Sequence, residues 1–495
     1  MALLFMDGFD KYGGVNTNVT SVAALMAGEW TTITNAVTLV APLSATGQAI
    51  SITGGNAGPS KTLPAAVGRI IGGMRFSSNL AAIAGVQFND GASNQCSISI
   101  ASTGIITMRN GAFTIGTILG SSATSITANT THYLEWDISL GNSAAYNVYL
   151  DGVSVVSGTG DTTATANNTV SVVMPVTQTL EVLIVDDFYL FDSTGSTNNA
   201  PLLTSPRIET TLPISDSAVQ FSIGASVLGP TVNRGGAAIN GVANTWYVRA
   251  FTPQRACTLN TINITPNVTN STANLRPVVY SDSAGAPSTL LSGGSTVTGT
   301  TAGTLLTMPL TTPQTLTAGT QYWLGFMTDV AVQMVGYDGV AGGRSGTATF
   351  TSGAPSTAPS SASASNVLMW GNITLTTPVN FYEVNQQPPP GVNSYVYDAT
   401  VSGEDLYGFG PLSVSGATVY GVGVKGMVQK SDSGTRTISL RTRSGSTDSA
   451  GSLAGQALGT SFGWYGSFFA TDPNTGGAWT TTAVNAATSG IRIDS

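Results

Sequence analysis

Glu135-Trp136-Asp137-Ile138-Ser139 holds the residue types in this chain closest to a catalytic set. In an extended strand alternate side chains share a face, so Glu135, Asp137 and Ser139 line up. Two carboxyl groups facing a glycosidic bond can act as nucleophile and acid/base. The third same-face position is a serine, which cannot protonate a leaving glycosidic oxygen near neutral pH. The preferred reading places Glu135 and Asp137 on the solvated or rim face of a half-buried strand, with no catalytic role.

Other constellations carry less. Gly459-Thr460-Ser461-Phe462-Gly463 fits G-x-S-x-G, but that pattern needs a strand-to-helix elbow with a His and an acid nearby. The one histidine, His132, lies among strand residues far from it. One His and two Cys 161 positions apart, Cys96 and Cys257, do not make a zinc site. They read instead as free buried thiols of a chain made in a reducing cytosol. Gly58-Pro59-Ser60-Lys61-Thr62 has the wrong spacing for a phosphate-binding loop. Asp186 and Asp187, with Asp7 and Asp10, could supply oxygens to calcium, although neighbouring strand residues point to opposite faces. Turn chemistry and strand-end solvation is the preferred reading there. The sequence therefore assigns no catalytic, cofactor-binding or metal-ligating residue and implies no cofactor.

Composition narrows the class. Of 495 residues only 8% are charged and 41% are hydrophobic, with 59 Gly. Abundant Thr, Ser, Val and Asn favour strands and turns over helices. A net charge of −8 with 17 Lys+Arg offers no basic face for nucleic acid. No run approaches the ~20 apolar residues of a membrane span. Met1-Ala2-Leu3-Leu4-Phe5-Met6-Asp7 lacks a basic n-region and meets Asp7 before an apolar stretch forms, so no secretion signal is expected. The sequons at Asn18, Asn267 and Asn372 then carry no meaning.

The elements that must position these residues are strands. Tyr146–Leu150 and Val153–Val156 flank Asp151-Gly152, a strong hairpin signal because a tight primed turn needs positive φ at both central residues. Further strands are expected at Leu3–Met6, Ala49–Thr53, Arg69–Phe76, Ala82–Phe88, Gln95–Ile100, Ile105–Met108, Phe113–Leu119, His132–Ile138 and Leu180–Asp192. Such spacing implies a sandwich or barrel. Three of these stretches carry a resemblance: Tyr133-Leu134-Glu135-Trp136, the hairpin around Asp151-Gly152, and Val185-Asp186-Asp187-Phe188-Tyr189-Leu190-Phe191-Asp192. Together they resemble the concanavalin/laminin-G-type jelly roll, in the version found in tailed-bacteriophage virion proteins. That likeness implies pairing of the first strand, Leu3–Met6, with the last. Jelly-roll glucanases carry E-x-D-x-E on the equivalent strand, and Ser139 stands where their second glutamate would be.

The fold class expected is all-β, with tandem antiparallel β-sandwiches: a concanavalin-like jelly roll plus further sandwich domains. Residues 1–196 form the first domain. Ser205–Pro213 reads as a resumed strand, and in the phage family such a run leads directly into a segment like Val379–Pro389. About 155 residues intervene, so 223–378 is read as an inserted accessory sandwich. Residues 197–222 with 379–495 then make a discontinuous C-terminal sandwich. Within the insertion, Tyr280-Ser281-Asp282 and Thr317–Phe326 are similar to jelly-roll accessory modules of bacterial and phage surface proteins. Its aromatics, Trp246, Tyr247, Tyr322, Trp323, Tyr337 and Trp370, are expected to fill a core rather than stack on sugars. Ser402–Tyr407 and Thr471–Ala486 resemble the C-terminal end of the same phage proteins.

The function expected is a non-enzymatic structural component of a tailed-phage virion: a head-decoration, collar or tail-associated protein. Its partners would be other virion proteins and copies of itself, not nucleic acid or membrane. It would be made in the bacterial host cytoplasm and located in the virion. The alternative is a carbohydrate-binding host-adhesion protein of the tail-fibre type meeting host surface glycans, which predicts an exposed concave face with two or three aromatics.

Overall fold

The computed structural model describes residues 3–495, apart from residues 34–35, 45, 56–57, 92, 179, 195–196, 230–237, 337–341, 361, 365–366, 376–378, 388 and 390–393. The chain is all-β, built from antiparallel sheets. It divides into two compact units, Met1–Gln220 with Ala399–Ser495, and Phe221–Asp398. The first unit is thus discontinuous.

The first fourteen strands make the jelly roll. They are β1 (Leu3–Asp7), β2 (Ala36–Val40), β3 (Ala49–Thr53), β4 (Ser60–Val67), β5 (Arg69–Ser78), β6 (Ala84–Asn89) and β7 (Asn94–Ile100). Next come β8 (Ile105–Asn110), β9 (Thr117–Ser125), β10 (His132–Ser139), β11 (Ala144–Leu150), β12 (Val153–Gly160), β13 (Thr169–Val173) and β14 (Val182–Phe191). One sheet runs β12-β11-β10-β5-β14-β3-β2, with β1 also on β14, and the other runs β4-β13-β6-β7-β8-β9. The first and last strands pair antiparallel, Leu3 opposite Phe191 and Asp7 opposite Phe188. The hairpin forms with φ of 51° at Asp151 and 80° at Gly152, the positive values that its turn requires.

Alternation sets the faces of this sheet. Leu134, Trp136 and Ile138 point into the sandwich and are fully buried, where Trp136 packs on Phe88 and Phe188. Gly72 accepts the Trp136 ring, since a Cβ there would lie 2.7 Å from it. Tyr133, Glu135 and Asp137 take the opposite face by the same two-residue period.

Two expected elements change. Phe113–Gly116 is loop, and its strand starts at Thr117. Ser205–Leu212 is not a strand: it has no ladder partner, and strand structure resumes only over Pro213–Ala218. The sequence reading also passed over β2, β4 and β13, and the helix Val19–Met26 capped by the Asn18 side chain on Ser21 N–H.

The remainder of the first unit is a smaller sandwich. Its main sheet sets Pro213–Ala218 beside Glu404–Phe409, then Thr488–Ile493, then Thr437–Ser444. Val422–Val428 pairs with Gly463–Phe469 as a separate ribbon, and Val424, Leu440, Phe469 and Trp479 cluster between them. Gln220 N–H donates to Asp405 (2.7 Å) and its side chain accepts from Glu404 N–H (2.7 Å). The two chain ends that border residues 221–398 therefore touch each other.

The second unit, Phe221–Asp398, packs a sheet containing Cys257–Ile264 and Met369–Leu375 against one containing Thr245–Phe251, Asn270–Ser283 and Tyr322–Thr328. The sequence reading set its limits at 223 and 378. Its C-terminal limit lies at Asp398 because Tyr395–Tyr397 pairs with Ser222–Leu228. Trp246, Tyr247, Tyr322, Trp323 and Trp370 are all buried. Tyr337 lies outside the described residues.

Candidate functional site

The candidate site is the face of the jelly roll that carries Glu135. Residues 198–210 cross it as an extended strap. Glu135 is fully buried, which corrects the expectation of a solvated or rim carboxylate. The alternation placed it on the non-core face, but that face is covered. Its Oε1 accepts from Tyr189 Oη (2.6 Å) and from the backbone N–H of Leu202 (2.9 Å) and Leu203 (3.0 Å), the last also reaching Oε2 (3.1 Å). Gly73 makes the room, since a Cβ there would come within 2.8 Å of the Glu135 and Tyr189 side chains.

Further along, Arg75 bridges sheet and strap. Its Nε donates to Asp187 (2.9 Å), and its terminal nitrogen to the carbonyls of Ser205 (3.2 Å) and Pro206 (3.5 Å). Asp187 accepts Ile208 N–H at 2.7 Å, and Asp10 accepts Thr210 N–H. Gly8 lets Ile208 approach: a Cβ there would lie 2.8 Å from its carbonyl oxygen. The other side of the strap is tied to the smaller sandwich, with Ser413 N–H and Oγ on Glu209 (2.8 and 2.9 Å) and Thr204 on Tyr420 (3.2 Å).

Asp137 lies nearby but does other work. Arg69 holds both its oxygens at 2.7 Å, a two-point charge-assisted contact. Ser139 is on the same strand, so the E-x-D-x-S stretch comes together as three groups with no shared chemistry. His132 pairs with Asp151 at 2.8 Å beside the hairpin.

The four aspartates considered for calcium meet hydrogen-bond donors. Asp7 accepts from Lys11 (2.5 Å), Tyr12 Oη (2.8 Å), Trp30 Nε1 (2.9 Å) and Phe9 N–H (2.9 Å). Asp186 accepts from the N–H of Leu43 (3.0 Å) and Ser44 (3.3 Å), and Asp10 from Gln48 N–H (2.7 Å). Lone pairs committed to hydrogens are not offered to a cation. Among the described residues no group of three or more His, Cys, Asp or Glu is arranged to hold a metal.

Their electrostatics diverge. Burial works to raise Asp7, but Lys11 and Lys425 outweigh it and hold the carboxyl at about 2. Burial, against its two backbone donors, lifts Asp10 to about 6, with Asp187 and Asp7 adding repulsion. Burial and the Asp187 charge lift Asp186 to about 7. Asp187 is also raised, chiefly by burial, with Arg75 and Arg207 opposing. Cys96 and Cys257 are free and buried, and burial pushes Cys257 up to about 11, which leaves it an inert thiol.

Sequence reasoning missed the strap and a second polar centre. In that centre Lys425 reaches Glu29 (2.6 Å) and the Met6 carbonyl (2.6 Å), and Trp464 donates to the Leu25 carbonyl (2.6 Å). These contacts join residues some 400 positions apart, and no local pattern announces them.

No family model and no curated protein matches the chain. Among solved structures it is similar to an endo-β-1,4-glucuronan lyase from Trichoderma reesei, at 14% identity over 33% of this chain and 91% of that one, with a TM-score of 0.26. It is also similar to the carbohydrate-binding module CBM66 from Bacillus subtilis, at 10% identity over 32% and 92%, TM-score 0.24. The T. cruzi calreticulin globular domain matches at 12% identity over 38% and 88%, TM-score 0.26. Likenesses this distant assign no activity.

Proposed function

We propose that this chain is a non-enzymatic structural protein of a tailed-phage particle, a head-decoration, collar or tail-associated subunit. The observation that carries the non-enzymatic part is the occupied face. Glu135, the one carboxylate of the sequence motif suited to act as a nucleophile, is buried under the chain's own backbone with its oxygens in use. Asp137 is committed to Arg69, and Ser139 supplies no acid. What remains is a seat for the strap. The particle assignment rests on the residue patterns at both ends of the chain, and on a charge-poor, hydroxyl- and amide-rich composition suited to lasting contacts with neighbours.

Two measurements test this. Purified chain is mixed with particles lacking it, and the bound stoichiometry is read by sedimentation. Release of reducing sugar from host polysaccharide is assayed in parallel for the parent chain and for Glu135→Gln. Fixed stoichiometry on the particle with no sugar release is the expected result. Turnover that disappears in Glu135→Gln would overturn the non-enzymatic reading. Indifference to particles combined with saturable binding to host glycans would replace the structural role with the adhesin.

A further inference from the structure

The strap is held in an unusual way. Leu202, Leu203, Ile208 and Thr210 each send a backbone N–H to a carboxylate of the jelly roll: Glu135, Glu135, Asp187 and Asp10 in turn. Leu43, Ser44 and Gln48 come in from a second segment, Leu43 and Ser44 N–H on Asp186 and Gln48 N–H on Asp10, the acid shared with the strap. This segment and the strap also meet each other, Arg207 donating to Thr46. Three carboxylates, Asp10, Asp186 and Asp187, are thus gathered beneath two covering segments.

We propose that the strap is a proton-operated latch, closed while the Asp10–Asp186–Asp187 group retains a proton and loosened when all three carboxylates are ionised. The charges facing the group are few. Arg75 from β5 and Arg207 from the strap face Asp187, Arg207 being shared with Glu209 of the strap at 3.8 Å, and Asp7 from β1 adds repulsion at Asp10. Asp7 is itself matched by Lys11. Two guanidinium groups face three buried carboxylates, so full ionisation leaves negative charge with little water to solvate it. Lifting the strap and the second segment would hydrate all three.

The backbone adds a second reason for two states. Leu203 (φ 55°) and Ser205 (φ 48°) in the strap, Asp187 (φ 49°) under it and Phe9 (φ 62°) beside Asp10 occupy the left-handed region without being glycine. Such residues persist only where surroundings over-determine them, and they tend to mark switching segments. Release would let Leu203 and Ser205 relax.

The sign follows from linkage. Asp10 and Asp186 are pushed up to about 6 and about 7 in the closed form, and hydration would return them toward the usual carboxylate range. The closed form therefore binds protons more tightly. Closure is favoured as pH falls through that window and weakened as pH rises through it.

Hydrogen exchange on the full chain tests the latch, using amide protection factors corrected for the intrinsic rate. Residues 198–210 are expected to lose roughly tenfold or more in protection between about pH 5 and about pH 8. Amides of β7 serve as the reference and should not move. In Asp10→Asn with Asp186→Asn one acceptor oxygen stays at each position and the charges go, so strap protection should lose its dependence on pH. Asp10→Asn alone, should the pair fail to fold, is expected to remove part of the dependence. Equal protection at both pH values in the parent chain would overturn the proposal, as would a pH dependence undiminished in the asparagine variants.

Discussion

Asp7 and Asp10 belong to one turn and are held at opposite ends of the carboxylate range, about 2 and about 6. Both are taken from water. Asp7 meets ammonium groups: Lys11 at 2.5 Å, with Lys425 close enough to add its charge. Asp10 meets the backbone N–H groups of Gln48 and Thr210 and feels two other acids, Asp187 and Asp7. Burial penalises a charged carboxyl in either place, and the neighbouring charges decide which way it goes. One end of the turn is thus a locked ionic centre joining the jelly roll to the smaller sandwich, and the other a site that titrates near neutrality.

The largest test of this contrast is on the locked side. Lys425→Met leaves Glu29 buried without its partner and is expected to lower stability in urea unfolding by about 3–5 kcal/mol. Adding Glu29→Met should restore most of that, since the unpaired charge is then gone. On the strap side, Glu135→Leu leaves Tyr189 Oη and the Leu203 N–H without an acceptor, while Leu202 N–H keeps Tyr189 Oη at 3.3 Å, with an expected loss of about 1–3 kcal/mol. Glu135→Gln should cost less, because one acceptor oxygen remains.

The pH dependence separates the two ends. Asp10 and Asp186 are raised in the folded state, so it holds protons there that the unfolded chain has released. Between about pH 4 and about pH 7 stability should therefore fall as pH rises, by up to several kcal/mol at about 1.4 kcal/mol per pKa unit, and Asp10→Asn should flatten the slope. Asp7 is lowered, so its contribution is complete above about pH 4 and lost as pH falls toward about 2. Denaturation midpoints across this range would show both limbs. The smallest effect is expected at Arg436→Ala: that residue's ion pair with Asp432 is open to solvent, and the urea midpoint should not move measurably.

The sandwich was legible in the sequence because its signals are local. Asp151-Gly152 supplies the two positive φ values that a tight hairpin needs, and the alternation of Leu134, Trp136 and Ile138 places them in the core. The role of Glu135 was not legible. Period-2 alternation says which face a side chain takes, not what lies on that face. Ser205–Leu212 was expected to be a strand, yet the N–H groups of Ile208 and Thr210 end on side chains rather than on a ladder. Lys425 was illegible for a different reason: its partner Glu29 is 396 positions away, and one lysine in a Gly-rich strand carries no sign of its depth.

The contact of Gln220 with Glu404 and Asp405 has a consequence for how such a gene can change. The chain leaves the first unit and re-enters it at neighbouring backbone positions, so residues 221–398 occupy a single loop site in its wiring. A bridge of a few residues from Gln220 to Gly403 would close that loop without stretching a strand, since such a span lies within the reach of extended chain. Recombination at these two points could delete the passenger, exchange it for another fold of any size with adjacent ends, or copy it elsewhere. The host unit would keep its sheets, its strap and its lysine-bound acids throughout.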